Sequence, residues 1–206
     1  PVGNAPWDQA ALAEPLSCAI HAARLLDARL GDTAVVFGAG TMGLLNLMVL
    51  KKSGLRVAVV DVNEGRLAKA TSLGADVVLK AGPDIRDRVK AAFLGGVDFS
   101  IAAYGSEEVN QDALDVLNNR GKICLFASAH PVMPFAVDPN LMHNRETSAV
   151  GVVSADRRDH AVATDLIATK QIDLSPIVDA TFPLVEAAAA FERATSTPSY
   201  RVMLHP

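Results

Sequence analysis

The sequence predicts an α/β fold: a doubly wound, six-stranded parallel sheet in the order 3-2-1-4-5-6, helices on both faces, and a short α/β tail. Three observations predict it. Near-continuous apolar runs at 34–37, 56–60, 76–79, 97–101, 122–126 and 148–153 alternate with stretches of helical period, the pattern of strands covered on both faces. The first run, Val35-Val36-Phe37, passes into Gly38-Ala39-Gly40-Thr41-Met42-Gly43 and then into an apolar stretch over 44–50. That is a strand, a G-x-G-x-x-G turn and a helix. The second run ends in Asp61, 21 residues beyond Gly40. In such sheets a ligand lies across the carboxyl ends of the strands, where the order reverses.

Composition narrows the class. The chain has 206 residues, half of them apolar, and a formal net charge of −4, which suits a compact domain with a sizeable core. Its longest apolar run stops at Lys51-Lys52, well short of the ~20 residues that span a bilayer. Mild acidity without a basic stripe argues against nucleic acid as a partner. Cys18 and Cys124 stand 106 residues apart, so no cysteine cluster can hold a structural zinc. Cys124 reads as a small buried apolar group, and the usage suits a reducing cytoplasm. There is no signal peptide, and a start at Pro1 rather than Met points to a piece of a longer chain.

The elements follow in order. Residues 1–5 read as an extended lead-in. Asp8 is expected to cap a short helix through residue 13, and Pro15 to start a second, since proline fits the first turn; Leu16, Ile20, Ala23 and Leu26 share one face of it. Gly31-Asp32 turns the chain into the first strand. Beyond Asp61 a helix turns Leu67, Ala70 and Leu73 inward and closes at Gly74, where a left-handed residue is wanted. A helix near 85–93 and Gly95-Gly96 precede the fourth strand. Ser106 caps a helix carrying Glu107 and Glu108 in its first turn, where the dipole favours negative charge, with Val109, Ala113, Val116 and Leu117 inward. Residues 118–121 read as a turn. The stretch 129–139 holds three prolines and reads as an irregular loop over the sheet. Asp156 caps a helix to about residue 170 with Ala163, Leu166 and Ile167 inward. Ile177-Val178, an alanine-rich helix over 184–194 and a strand over 201–204 make a tail at the sheet edge or against a neighbouring domain.

The glycine turn carries the chemistry. A helix start presents unpaired N–H groups and the positive end of its dipole, which favours a pyrophosphate. Gly38 permits the sharp turn, Gly40 removes the side chain where phosphate oxygens approach, and Gly43 lets the helix pack on the strand. Asp61 stands at the distance expected of the acid that receives the ribose hydroxyls of NAD; its bland alternative is a solvated loop acid ending a strand. A carboxylate there repels a 2′-phosphate, and Val62 and Asn63 offer no cation to accept one, which argues for NAD over NADP. His130 reads as a solvated loop histidine. His21, His143, His160 and His205 lack a second ligand at metal spacing and read as structural or exposed, and Arg157-Arg158 as a solvated pair.

The chain resembles the cofactor-binding half of the zinc-dependent medium-chain dehydrogenases, nearest the sorbitol and threonine (polyol) dehydrogenase group. The resemblance covers nearly the whole chain. Its carriers are Glu14-Pro15-Leu16-Ser17 ahead of Ile20-His21-Ala22, the glycine turn, Asp61 with Arg66-Leu67, Leu73-Gly74-Ala75-Asp76, Gly105-Ser106-Glu107-Glu108 and Gly121-Lys122. More specific are the tail phrases Ile172-Asp173-Leu174-Ser175-Pro176, Phe182-Pro183-Leu184 and Ala190-Phe191-Glu192. The resemblance implies a lead-in and linker helix over 1–30, an NAD-binding Rossmann domain over 31–175, and a tail over 176–206 returning toward a catalytic domain absent from this chain. It also implies residue roles. Thr41 and Met42 give backbone N–H groups to the pyrophosphate, Asp61 takes the adenosine ribose with Val62 beside it, and Arg66 lies over the adenine. Ala103, Tyr104 and Phe126-Ala127-Ser128 line the nicotinamide side, and Val153 and Ser154 close over its carboxamide. A small Thr is more usual where Tyr104 stands, so that wall departs from the family pattern. Glu14 either faces the catalytic zinc, directly or through water, or is an acid ahead of a helix whose dipole stabilises it. The other zinc ligands would come from an N-terminal domain that nothing here matches.

The function so implied is that of the NAD(H)-binding domain of a zinc-dependent alcohol or polyol dehydrogenase, which oxidises a secondary alcohol by hydride transfer to NAD. Its small-molecule partner is an alcohol or polyol, its assembly a homodimer or homotetramer, and this chain alone is expected to show little or no turnover. Two alternatives are a zinc-free, NADPH-dependent quinone or enoyl reductase, against which Asp61 and Glu14 count, and a non-enzymatic NAD(H)-sensing module, against which the lack of an attached DNA-binding motif counts.

Overall fold

Parallel strands covered by helices on both sides must be apolar on both faces, and the central strands meet that demand. The structure, a computed structural model, describes residues 3, 5–196 and 199–206. Six strands, β1 (Thr33–Phe37), β2 (Arg56–Asp61), β3 (Val77–Lys80), β4 (Val97–Ala102), β5 (Leu117–Leu125) and β6 (Ser148–Gly151), form one sheet in the order β3-β2-β1-β4-β5-β6. Every pairing is parallel. Successive residues of β1 serve opposite cores: Ala34 and Val36 pack with one cluster, Val35 and Phe37 with the other, the period of two of an extended chain.

Four helices and a short turn of helix lie on the first of these cores or beside it: α1 (Trp7–Ala10), α2 (Ala13–Leu26), α3 (Thr41–Lys52), α4 (Glu64–Ser72) and, after the sixth strand, α8 (Arg157–Ala168). Leu16, Leu26, Leu44, Leu45 and Ile167 are buried there. The second core lies under α5 (Ile85–Ala92) and α6 (Glu107–Asp115), whose Ile85, Val89 and Ala113 are buried against Val35 and Phe37. A short α7 (Pro139–Arg145) precedes β6. The tail forms a separate sheet of two parallel strands, β7 (Val178–Pro183) and β8 (Arg201–His205), flanked by α9 (Ala187–Thr195). Among the described residues no helix is long and apolar enough to cross a membrane.

Several expectations need correction, each for a local reason. The lead-in read over 1–5 rests on residues 1, 2 and 4, which lie outside the described residues. Asp8 does not cap α1, whose N-cap is Pro6; its carboxylate instead meets His205 Nε2 at 2.5 Å. Helix α2 begins at Ala13, two residues before Pro15, which sits within the first turn where its missing N–H is not needed. Leu117 belongs to β5 rather than to a helix, and the turn expected over 118–121 is an excursion within that strand. The ladder steps from Val97↔Leu117 to Phe99↔Lys122, with Arg120 left-handed at φ 65°. Helix α7 begins at the last residue of the loop read over 129–139 and fills a stretch to which the sequence reading gave no element: Asp138 accepts the Asn140 N–H at 2.8 Å and Pro139 starts the helix, an N-cap and N1 pair hidden among prolines.

An ion-pair clamp fixes α2 to α8. Asp159, 1% exposed, accepts from His21 Nδ1 and from Arg24 Nη2, both at 2.7 Å, and Arg24 also reaches Asp156 at 2.5 Å. Asp156 and Asp159 close a reciprocal capping box at the start of α8. His21 is therefore structural. Although His21, Asp156 and Asp159 bring ligand atoms within 4.8 Å of one another, the Arg24 guanidinium already supplies their positive charge.

Candidate dinucleotide site

The site begins with backbone. Helix α3 starts at an N-cap, Gly40, that has no side chain to cap it, and its first turn carries no acid. The first N–H met within the helix is that of Leu44, bonded to the Gly40 carbonyl at 2.9 Å, so the N–H groups of Thr41, Met42 and Gly43 have no intrahelical acceptor and the positive end of the dipole is bare. Gly38 adopts φ 104°, which only glycine holds without strain. A methyl added at Gly43 would lie 1.7 Å from the Gly38 carbonyl oxygen, whereas one added at Gly40 would meet nothing within 4 Å. Helix and turn are thus in tight contact at Gly43, and an open crevice lies above Gly40.

Asp61 closes the turn from the neighbouring strand. The register pairs Phe37 with Val60, which brings the end of β2 beside the glycines. One Asp61 oxygen accepts the Ala39 N–H at 2.7 Å and the other accepts the Asn63 N–H at 2.8 Å. With 7% of the residue exposed, Asp61 is an anchored acid rather than a solvated loop acid. Arg66 Nη1 stands 3.9 Å from it, delivered by α4, which Asn63 caps by accepting the Arg66 N–H at 3.0 Å.

Two cavities flank the start of α3. The first, about 500 Å3, is lined by Gly38, Gly40, Asp61, Val62, Arg66 and, across the crevice, Ala103 and Tyr104. The second, about 590 Å3, is lined by Met42, Phe126, Ala127, Ser128, Val153 and Ser154, with Cys18 from α2. Every residue carried over by resemblance for the cofactor therefore falls at one of the two cavities or, for Thr41 and Gly43, on the helix start between them. The sides differ from expectation at one place. Ala103 and Tyr104, expected with Phe126-Ala127-Ser128, line the Asp61 cavity instead. The cause is strand order: β4 is the immediate neighbour of β1, and the Ala103 N–H donates to the Phe37 carbonyl at 3.0 Å, while β5 lies one strand further out.

Sequence reasoning missed several neighbours. Ser106, the N-cap of α6, and Glu108, Val109 and Asp112 within it line the first cavity; Glu108 was legible only as a dipole-stabilised acid, although the helix following β4 necessarily starts at the carboxyl edge. The tail reaches the same edge, where Thr41 Oγ1 donates to the Tyr200 carbonyl at 3.2 Å. Beside Tyr200, Arg201 Nε is buried without a partner among the described residues. In the second cavity, burial and then the charge of Glu14 push the Cys18 thiol up to about 11, and Cys18 Sγ donates to Glu14 Oε1 at 3.5 Å.

The residues fit a dinucleotide: an uncapped helix start for the diphosphate, an anchored carboxylate on one side, and a cavity at each end of the crevice. They do not by themselves build a zinc centre. Glu14 is exposed, and among the described residues it belongs to no group of three His, Cys, Asp or Glu ligands, where a zinc site needs three or four.

Comparisons with known proteins agree with this geometry. Residues 41–169 match the family described as zinc-binding dehydrogenase. Sorbitol dehydrogenase of Rattus norvegicus is 30% identical over 205 residues, covering 96% of this chain and 56% of that protein. Among solved structures, L-idonate 5-dehydrogenase of Escherichia coli is 26% identical with a TM-score of 0.84, over 97% of this chain and 57% of its own. An Escherichia coli alcohol dehydrogenase complexed with NADH shares the fold at a TM-score of 0.88 and 22% identity, over 98% of this chain and 61% of its own. The chain thus spans about half the length of the relatives it matches. With more than half of its residues inside the matched region and the glycine turn, the anchored acid and the strand order all in place, this chain belongs to the zinc-binding dehydrogenase family.

Proposed function

We propose that this chain is the NAD(H)-binding domain of a longer zinc-dependent dehydrogenase acting on a secondary alcohol or polyol. The observation that carries the reading is the uncapped start of α3 lying between two cavities, with Asp61 anchored at one of them. In this reading the Thr41 and Met42 N–H groups hold the pyrophosphate where Gly40 leaves room. Asp61 accepts from the adenosine ribose hydroxyls, and Arg66 covers the adenine. Phe126, Ala127 and Ser128 form the wall behind the nicotinamide, and Val153 and Ser154 close over its carboxamide. When bound, the dinucleotide supplies the hydride acceptor and zinc the Lewis acid that lowers the alcohol's pKa. The chain's own part is to orient the nicotinamide and to choose the cofactor. Glu14, on the helix that lines the second cavity, is the one residue here offered toward the metal, and the tail over 176–206 returns toward the domain that would supply the rest.

The preference for NAD over NADP rests on charge. The first cavity is lined by Asp61 and Glu108 against the cation Arg66, while the charge of Asp112, a third lining acid, is met by Arg86 at 2.6 Å, so a 2′-phosphate meets a net negative wall. A crystal grown with NADH tests the placement. Diphosphate density against the Thr41 and Met42 nitrogens, with the ribose on Asp61, supports the reading; dinucleotide bound elsewhere, or a crevice filled by the chain's own side chains, refutes it.

A further inference from the structure

Resting on the dinucleotide reading above, we propose that the ring of Tyr104 is the stacking platform for the adenine base. A purine can be held by its edges or by its faces, and in the first cavity most edge-binding groups are already engaged. Asp61 accepts the Ala39 and Asn63 N–H groups. The Ser106 hydroxyl caps α6 by accepting the Val109 N–H at 3.1 Å. Asp112 is held by Arg86 Nε at 2.6 Å. Beside the carboxylate of Glu108 and the guanidinium of Arg66, what the cavity offers is surface: Val62, Ile85 and Val109, and two aromatic rings, Phe37 and Tyr104. Phe37 is 2% exposed and belongs to the core, whereas Tyr104 is 64% exposed.

The position of Tyr104 is set by the sheet. It stands two residues beyond the end of β4, and its Cβ lies 3.4 Å from the point where a side chain on Gly38 would begin, so the residue stands against the glycine turn at the edge of the first cavity. Arg66 lines the same cavity from α4. A planar base between a guanidinium on one side and a phenol ring on the other is bound by its two faces, an arrangement tolerant of the missing edge contacts. A large apolar ring left open at a concave site has in this way a partner of matching shape.

The test compares NADH, AMP and reduced nicotinamide mononucleotide, titrated into the chain and its variants, with thermal melts to confirm folding. Tyr104→Thr is expected to weaken NADH and AMP alike by about five- to tenfold, the lower part of the range for base–aromatic stacking because the ring stands at a rim. Nicotinamide mononucleotide keeps its affinity, and Tyr104→Phe keeps all three. Undiminished NADH and AMP binding by Tyr104→Thr overturns the proposal while the dinucleotide reading stands, and so does an equal loss for nicotinamide mononucleotide. An unaltered chain that binds neither NADH nor AMP overturns both.

Discussion

Two glycines three residues apart are expected to fail in opposite ways when each becomes alanine. At Gly43 the new methyl would sit 1.7 Å from the Gly38 carbonyl oxygen and 2.8 Å from its carbon. Both are backbone atoms, so no side chain can swing aside. To reach the shortest contact that real methyls show, α3 has to retreat from the turn by at least about 1.3 Å, and overpacking of this kind costs about 3 kcal/mol or more. In a chain of this size that is a fall of roughly 6–12 °C in Tm. At Gly40 the methyl meets nothing within 4 Å and φ is an ordinary −72°; the cost to the fold is the poorer cap preference of alanine, at most about 1 kcal/mol. In the proposed reading the same methyl stands where a phosphate oxygen approaches the Thr41 and Met42 nitrogens. NADH affinity is therefore expected to fall by at least about tenfold, the equivalent of one displaced charged hydrogen bond. Thermal melts and NADH fluorescence titrations on both variants read the contrast. Gly43→Ala melting with the unaltered chain would refute the packing argument, and Gly40→Ala binding NADH at full affinity would remove the pyrophosphate from the turn.

Cys18 lines the second cavity with its thiol pushed up to about 11, first by burial and then by Glu14, so alkylation by iodoacetamide at pH 8 is expected to be slow. Glu14→Gln, which removes one cause of the upward shift, should speed it, and bound NADH should slow it; a rate indifferent to both changes contradicts the placement. Asp156 is held down to about 2, first by the Asp159 N–H that it accepts and further by Arg24. A lowered folded-state value stabilises above the ordinary carboxylate pKa of 3.8 and loses that contribution as pH falls toward 2. Asp156→Asn, which keeps the cap acceptor, should therefore be less stable than the unaltered chain in urea at pH 5, with the offset clearly smaller at pH 2.5 and closing only below about 2; an offset equal at pH 5 and pH 2.5 contradicts the α2–α8 clamp.

The main sheet was legible because its cause is local. Val35-Val36-Phe37 and the run over 57–60 are apolar at consecutive positions, which only burial on both faces explains, and the glycine turn marks the strand where the order reverses. Asp61 was legible from spacing alone, but its two backbone donors were not, because they depend on how far the turn folds back under β2. Three features escaped for physical reasons. Helix α7 is short and sits among prolines whose usual meaning is a loop, and only Asp138-Pro139 signalled it. The parallel pairing of β7 with β8 joins segments separated by α9, and no periodicity reports a long-range partner. The side of the crevice on which Ala103 and Tyr104 fall follows from β4 lying next to β1, which the strand order read from the sequence already implied but the roles carried over by resemblance did not use.

The most direct measurement is calorimetric titration of NADH and NADPH side by side into the unaltered chain and into Asp61→Ala. The account predicts one saturable NADH site, at least about tenfold tighter than NADPH, and loss of that preference in the variant. Equal affinity for the two cofactors before mutation, or no binding of either, would contradict it.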